Sequence, residues 1–148
     1  MQYVLDTSVL VQGAIEDTDS ARVATLLSLL NQTEPAVIHV PEFSLVECAN
    51  VLWKQVQFFG SDSAEAEAAL SNLLRLPLTV HTAASLLPRS LEIALTNHLA
   101  VYDCVHIALA ENLSCPLITV DQRQMSIAQG EAVVLKSITD FPEFQSGT

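Results

Sequence analysis

The chain is short of basic residues and glycines, has no paired cysteine motif, and contains no apolar run long enough to span a membrane. Each shortage removes a class of protein. Six Lys and Arg face seventeen Asp and Glu, a net charge of −11. A protein that holds nucleic acid by neutralising phosphates carries the opposite balance. Tight, bare binding to RNA or DNA is therefore disfavoured, while a nuclease whose bound cations meet the phosphate stays open. The glycines number four, with no GxGxxG or GxxxxGK[ST] sequence, which excludes the common nucleotide-binding loops. Cys48, Cys104 and Cys115 show neither CxxC nor zinc-ligand spacing. An odd count without a secretory leader reads as reduced, cytosolic thiols packed as small hydrophobes. Cys48 and Cys104 each follow a candidate ligand, which leaves a thiol role open. The longest apolar runs are about half a membrane span, and Met1-Gln-Tyr-Val-Leu-Asp6 has no basic leader. A cytoplasmic protein with no membrane contact is expected.

Half of the 148 residues are hydrophobic, and the mean hydropathy is +0.37. That suits a single domain over residues 1–148 with a sizeable core. The apolar surplus is expected to cover a subunit or partner interface. Strand and helix patterns alternate along the chain. Gln2–Leu5 reads as a strand, followed by an acidic loop and a helix capped by Ser20. Ala36–Val40 is a second strand. Glu42–Phe59 is a helix with Phe43, Val46, Ala49, Leu52, Trp53 and Val56 on its inner stripe, ended by Gly60. Ser63–Leu76 is another helix, with Ala66, Leu70, Leu73 and Leu74 inward. Leu78–Val80 reads as a short strand, and Ser85–Leu99 as a helix interrupted at Pro88. An amphipathic helix over Val101–Leu113 leads into the apolar run Pro116–Val120. A short helix over Gln122–Gln129 stops at Gly130, and Val133–Leu135 is a last edge strand. The tail from Ser137 reads as irregular, with its final residues mobile. This alternation predicts a three-layer α/β sandwich with a mainly parallel sheet.

In such a sheet, functional groups gather beyond the C-terminal strand ends, where the strand order reverses. Asp6 and Asp121 each follow a strand pattern, Asp103 opens a helix, and Glu47 lies about one turn into another. Two carboxylates about 5 Å apart repel by roughly 3 kcal/mol at an effective dielectric near 20. Several together raise their own pKa values or recruit a cation. Hard divalent cations take oxygen ligands, and the chemistry that follows is metal-assisted phosphodiester hydrolysis. Each acid also has a plain alternative. Asp6, Asp103 and Asp121 could serve helix N-termini, and Glu47 stands three residues after Ser44, as in a capping box.

Val4-Leu-Asp-Thr-Ser-Val-Leu10, Ser44-Leu-Val-Glu-Cys-Ala-Asn-Val-Leu52, Tyr102-Asp-Cys-Val-His-Ile-Ala-Leu-Ala110 and Leu117-Ile-Thr-Val-Asp-Gln-Arg123 resemble, in order, the four motifs of the PIN domain. The resemblance is to VapC-type ribonuclease toxins of toxin–antitoxin pairs in particular. It implies that Asp6, Glu47, Asp103 and Asp121 form an acidic catalytic and metal-binding quartet, with Asp6 and Asp103 the most direct ligands. It also implies that Ser8 orients Asp6 or a water and that Thr119 supplies a supporting hydroxyl. The implied activity is Mg²⁺- or Mn²⁺-dependent cleavage of single-stranded RNA. The implied assembly is a homodimer held in check by a small antitoxin protein. Gln124 departs from the pattern, standing where many relatives are apolar. His106 occupies a place often held by an aromatic ring and is expected to pack. His39, His81 and His98 have no companion at ligand spacing.

One alternative is a PIN-like binding or regulatory module with little catalysis, motivated by the scarcity of basic residues. A receiver domain would need an acid in the strand near residues 78–82, which read Leu-Thr-Val-His-Thr. A dehalogenase-type phosphatase needs Asp-x-Asp, and here Asp6 is followed by Thr7-Ser8.

Overall fold

A computed structural model describes residues 1–144. Four parallel strands, β1 (Gln2–Leu5), β2 (Val37–Pro41), β3 (Thr79–His81) and β4 (Leu117–Ile118), form one sheet in the order β3-β2-β1-β4. Seven helices flank it: α1 (Thr7–Leu10), α2 (Ser20–Ser28), α3 (Glu42–Phe59), α4 (Ser63–Arg75), α5 (Leu87–Asn97), α6 (Val101–Leu113) and α7 (Gln122–Gly130). A parallel sheet needs both faces covered, because its crossover helices lie on them. Alternate strand residues accordingly feed two separate cores. Leu5, Ile38 and Ile118 pack with Val9, Val23 and Leu26 on one face. Val4 and Leu117 pack with Ile93, Ile107, Leu109 and Ile127 on the other. The expected three layers are present. No single helix among the described residues is long and apolar enough to cross a membrane.

Several local expectations shift. α6 is not amphipathic: Cys104 to Ala110 are all buried, because sheet, α5 and α7 enclose it. α3 covers the expected residues, but Val46 and Trp53 face solvent along with Phe58 and Phe59, as does Leu74 of α4. Eighteen helical residues span about 27 Å, whereas a strand of five spans about 17 Å, so the far end of α3 with Phe58 and Phe59 overhangs the sheet, while Val46 and Trp53 lie on the face opposite buried Ser44, Cys48 and Leu52. Pro88 does not interrupt α5 but lies in its first turn, where a missing N–H costs no hydrogen bond. Ser20 is the first residue of α2 rather than its cap. Its hydroxyl accepts from Asp17 N at 2.8 Å and donates to Ile15 O at 2.8 Å.

The third strand falls at Thr79–His81 rather than Leu78–Val80. The run Pro116–Val120 contributes only Leu117–Ile118. The expected strand at Val133–Leu135 is reduced to one bridge, Leu117 to Leu135, since so short a β4 offers little to pair with. Gly130 ends α7 without being its left-handed stop; Ala132 adopts the positive φ of 58°. The tail is less irregular than expected, with a 3-10 turn at Ile138–Asp140 and Phe141 buried edge-on against Tyr3. The expected mobility of the final residues concerns positions 145–148, outside the described residues.

Candidate active site

The strand order reverses at β1, which has β2 on one side and β4 on the other. Asp6 leaves β1 there and is 3% exposed. It occupies the N-cap position of α1, yet its side chain makes no cap bond. Its carboxylate turns instead toward β4 and α7. Ser8 Oγ donates to Asp6 Oδ2 at 2.6 Å, and Thr119 Oγ1 donates to the same oxygen at 2.9 Å. Gln124 Nε2 donates to Oδ1 at 3.0 Å. Ser8 and Thr119 therefore both hold Asp6 through Oδ2.

Glu47 does not form a capping box with Ser44. α3 follows Pro41 with no side-chain cap. Glu47 Oε1 accepts from Thr7 Oγ1 at 2.9 Å, tying the middle of α3 to the turn after Asp6. Burial pushes the Glu47 carboxyl above its ordinary pKa, the Thr7 bond opposes this, and the charges of Asp6 and Asp103 push it further up. Asp103 lies in the first turn of α6. Its side chain takes no hydrogen bond among the described residues. Three segments distant in sequence thus place Asp6 and Asp103 within electrostatic reach of Glu47. Among the described residues no Lys or Arg pairs with any of the three.

His106 lies inside this group, 2% exposed. It packs edge-on against Phe43, as expected of an aromatic substitute, with ring centroids 5.4 Å apart. It also contacts polar groups: its Nε2 is 2.8 Å from Ser44 Oγ, and its Nδ1 is 3.4 Å from Asp6 Oδ1. Burial holds its pKa below 6.5, against the pull of Asp6 and Asp103. Thr7, Ser44 and Gln124 escaped the sequence reading as parts of this network. The one available signal was Gln124, a polar residue where the motif is usually apolar.

Asp121 stands apart from the other three acids. It caps α7, its Oδ1 accepting from Arg123 N at 2.8 Å and Gln124 N at 3.2 Å. The plain alternative is realised for this residue, although its Oδ2 takes no hydrogen bond among the described residues. No three His, Cys, Asp or Glu side chains among the described residues form a ready-made ligand set. The donors nonetheless suit a hard divalent cation, being carboxylate oxygens from separate segments without a basic partner.

The thiols take no part. Cys48, Cys104 and Cys115 are buried, and desolvation pushes the Cys48 thiol to about 12, with Glu47 and Asp6 adding to it. His39 and His81 do have companions: His39 Nδ1 and His81 Nε2 are 2.9 Å apart, and His39 Nε2 is 3.0 Å from Gln2 Oε1. Adjacent parallel strands put them on one diagonal, with His39 opposite Thr79 and Pro41 opposite His81. Arg89 is bound to Glu92, Glu111 and Glu131. Arg123 is 68% exposed beside Asp121.

The PIN domain profile matches residues 3–130. Ribonuclease VapC9 of Mycobacterium tuberculosis is 31% identical over 117 residues, covering 75% of this chain and 91% of that protein. Ribonuclease VapC3 of Pyrobaculum aerophilum is 27% identical over 125 residues, covering 83% and 92%. Among solved structures, PAE2754 of Pyrobaculum aerophilum superposes with a TM-score of 0.70 at 18% identity, over 95% of this chain and 91% of that one. VapBC2 of Rickettsia felis, bound to a DNA fragment from its promoter, superposes at 0.67 with 16% identity, over 93% and 98%. Motif order, the parallel sheet, the acids gathered where its strand order reverses and the profile match agree, and the chain belongs to the PIN domain family.

Proposed function

We propose that this chain is a divalent-cation-dependent endoribonuclease, the toxin of a toxin–antitoxin pair, cleaving single-stranded RNA in the cytoplasm. One observation carries the reading. Asp6, Glu47 and Asp103 meet at the reversal point of the sheet without a Lys or Arg among them. An acidic group of that kind, with Asp6 buried and Glu47 and Asp103 half-buried, is tolerable when a cation occupies it. The names of the curated relatives, both ribonucleases, fit the same chemistry.

Asp6, Glu47 and Asp103 would hold Mg²⁺ or Mn²⁺, with Asp121 contributing through Oδ2. When bound, such a cation acidifies water and offsets charge on the phosphate. The chain's residues set the stage. Ser8, Thr119 and Gln124 fix the direction of Asp6, and Thr7 fixes Oε1 of Glu47. Arg123 is the cation nearest Asp121 and is free to meet a substrate phosphate, which partly answers the overall negative charge.

The antitoxin would lay an apolar helix in the cleft of about 300 Å³ between α3 and α4, lined by Ala49, Leu52, Trp53, Val56, Ala66 and Leu70. The domain would work as a homodimer, with Leu87, Leu91 and Leu95, exposed at four-residue intervals on α5, as the surface for the second copy. The deciding experiment is cleavage of single-stranded RNA with Mg²⁺ or Mn²⁺ by the wild type and by Asp6→Asn. Cleavage lost in the variant and in chelator supports the reading. Equal activity in both proteins removes it, and cation binding without cleavage would leave the regulatory module.

A further inference from the structure

Two buried polar atoms of the described residues have no hydrogen-bond partner: His106 Nδ1 and Gln124 Oε1. Both side chains converge on one atom, Asp6 Oδ1, at 3.4 Å from His106 Nδ1 and 3.0 Å from Gln124 Nε2. An orphaned polar atom is costly to bury, and two beside one carboxylate call for a reason.

The hydrogen bonds around His106 select one arrangement of protons. Thr7 Oγ1 lies 3.5 Å from Nε2 but gives its proton to Glu47 Oε1 at 2.9 Å. Ser44 Oγ, at 2.8 Å, is the near partner of Nε2. With the proton on Nε2, the Nδ1 lone pair would face the Asp6 carboxylate and repel it. With the proton on Nδ1, Ser44 donates to Nε2 and the ring N–H points to Asp6. Electrostatics favours the second tautomer. Hydrogen bonds of such networks are often long before substrate and cofactor arrive, and here the ring nitrogen stands 3.4 Å from Asp6 Oδ1 without a hydrogen bond.

We infer that His106 and Gln124 are positioning residues that would hold the Asp6 carboxylate in the orientation a cation needs, adding from α6 and α7 to the hold that Ser8 and Thr119 have on Oδ2. The inference rests on the proposed cation-dependent reaction. His106 links three elements: it sits on α6, is anchored through Ser44 on α3, and reaches the carboxylate after β1. Gln124 follows the Asp121 cap, whose bond to Gln124 N fixes the first turn of α7. Partners that orient a ligating group typically contribute 10–100-fold in metal affinity.

The test is Mn²⁺ titration by calorimetry, with thermal melts, on wild type, Asp6→Asn, His106→Phe, His106→Asn and Gln124→Met. Phe keeps the packing against Phe43 and has no donor. Asn restores an N–H near the place of Nδ1 while losing the link to Ser44. Affinity should fall roughly 10–100-fold in His106→Phe and Gln124→Met, with cooperative melts retained, and His106→Asn should recover most of it. Should His106→Phe not fold, Gln124→Met decides alone. Wild-type affinity in a folded His106→Phe or Gln124→Met overturns the inference while Asp6→Asn still abolishes binding. Wild-type protein that takes up no Mn²⁺ overturns the underlying nuclease reading, and the inference with it.

Discussion

Replacing Asp103 with Asn should cost far more stability in the presence of the cation than in its absence. Asp103 makes no hydrogen bond among the described residues, so the substitution breaks none there. It removes a charge that Glu47 feels. Two unit charges roughly 8 Å apart repel by about 0.5–2 kcal/mol across effective dielectrics from about 80 to about 20. Against this, the first turn of α6 loses an acid worth about 0.3–1 kcal/mol to the helix dipole. The cation-free variant should therefore lie between about 0.5 kcal/mol below the wild type and about 1.7 kcal/mol above it, at most about 7 °C in Tm for a domain of this size. In Mn²⁺ at about 100 times its Kd, the wild type gains about 2.7 kcal/mol, or roughly 5–11 °C. The variant should gain far less and so fall below the wild type in Mn²⁺. Thermal melts in chelator and in Mn²⁺, followed by circular dichroism, measure this directly. A variant clearly less stable than wild type in chelator would show that Asp103 serves the fold. Equal gains from Mn²⁺ would show that it does not serve the cation.

Other perturbations separate local roles. Asp121→Ala should cost about 1 kcal/mol through the lost cap of α7, and Asp121→Asn only a few tenths, since both residue types cap well. If Asp121 also serves the cation, both variants weaken Mn²⁺ binding by calorimetry; if it is a cap alone, Asp121→Asn binds as the wild type does. Arg89→Met should destabilise by about 1–2 kcal/mol, because one guanidinium gathers Glu92, Glu111 and Glu131 from three segments. The loss should shrink in 1 M salt, and urea titrations at two ionic strengths would reveal a salt-independent, packing-only effect if it does not. Burial and His81 hold the His39 pKa below 6.5, so the unfolded chain binds the proton first. Its contribution to stability is complete above pH 6.5 and is lost as pH falls from there toward the folded value. Melts from pH 7 to pH 5 should decline less steeply for His39→Gln, and parallel profiles would contradict this.

The one-dimensional pattern was sufficient for the order and nature of nearly every element. Periodicity and breakers carry that information locally: α3 runs from Glu42 to Phe59 and ends at Gly60 in a left-handed cap, as read. Motif spacing likewise pointed to Asp6, Glu47, Asp103 and Asp121. What periodicity does not carry is which side of a helix meets protein. Val46 and Trp53 continue an apolar stripe but share a face of α3 turned away from buried Ser44, Cys48 and Leu52. α6 is buried on every side because of what surrounds it, not because of its own pattern.

The same limit applied at the site. Whether an acid after a strand caps a helix or turns into a cleft depends on donors elsewhere in the chain. Asp6 and Asp121 look alike in sequence. Ser8, Thr119 and Gln124 draw the first across the sheet, whereas the second finds the free N–H groups of α7. The residues themselves indicated the family and the layered fold and named four candidate acids. Tertiary packing alone decided that His106 and Gln124 approach Asp6, because a contact across a hundred residues or more leaves no local trace.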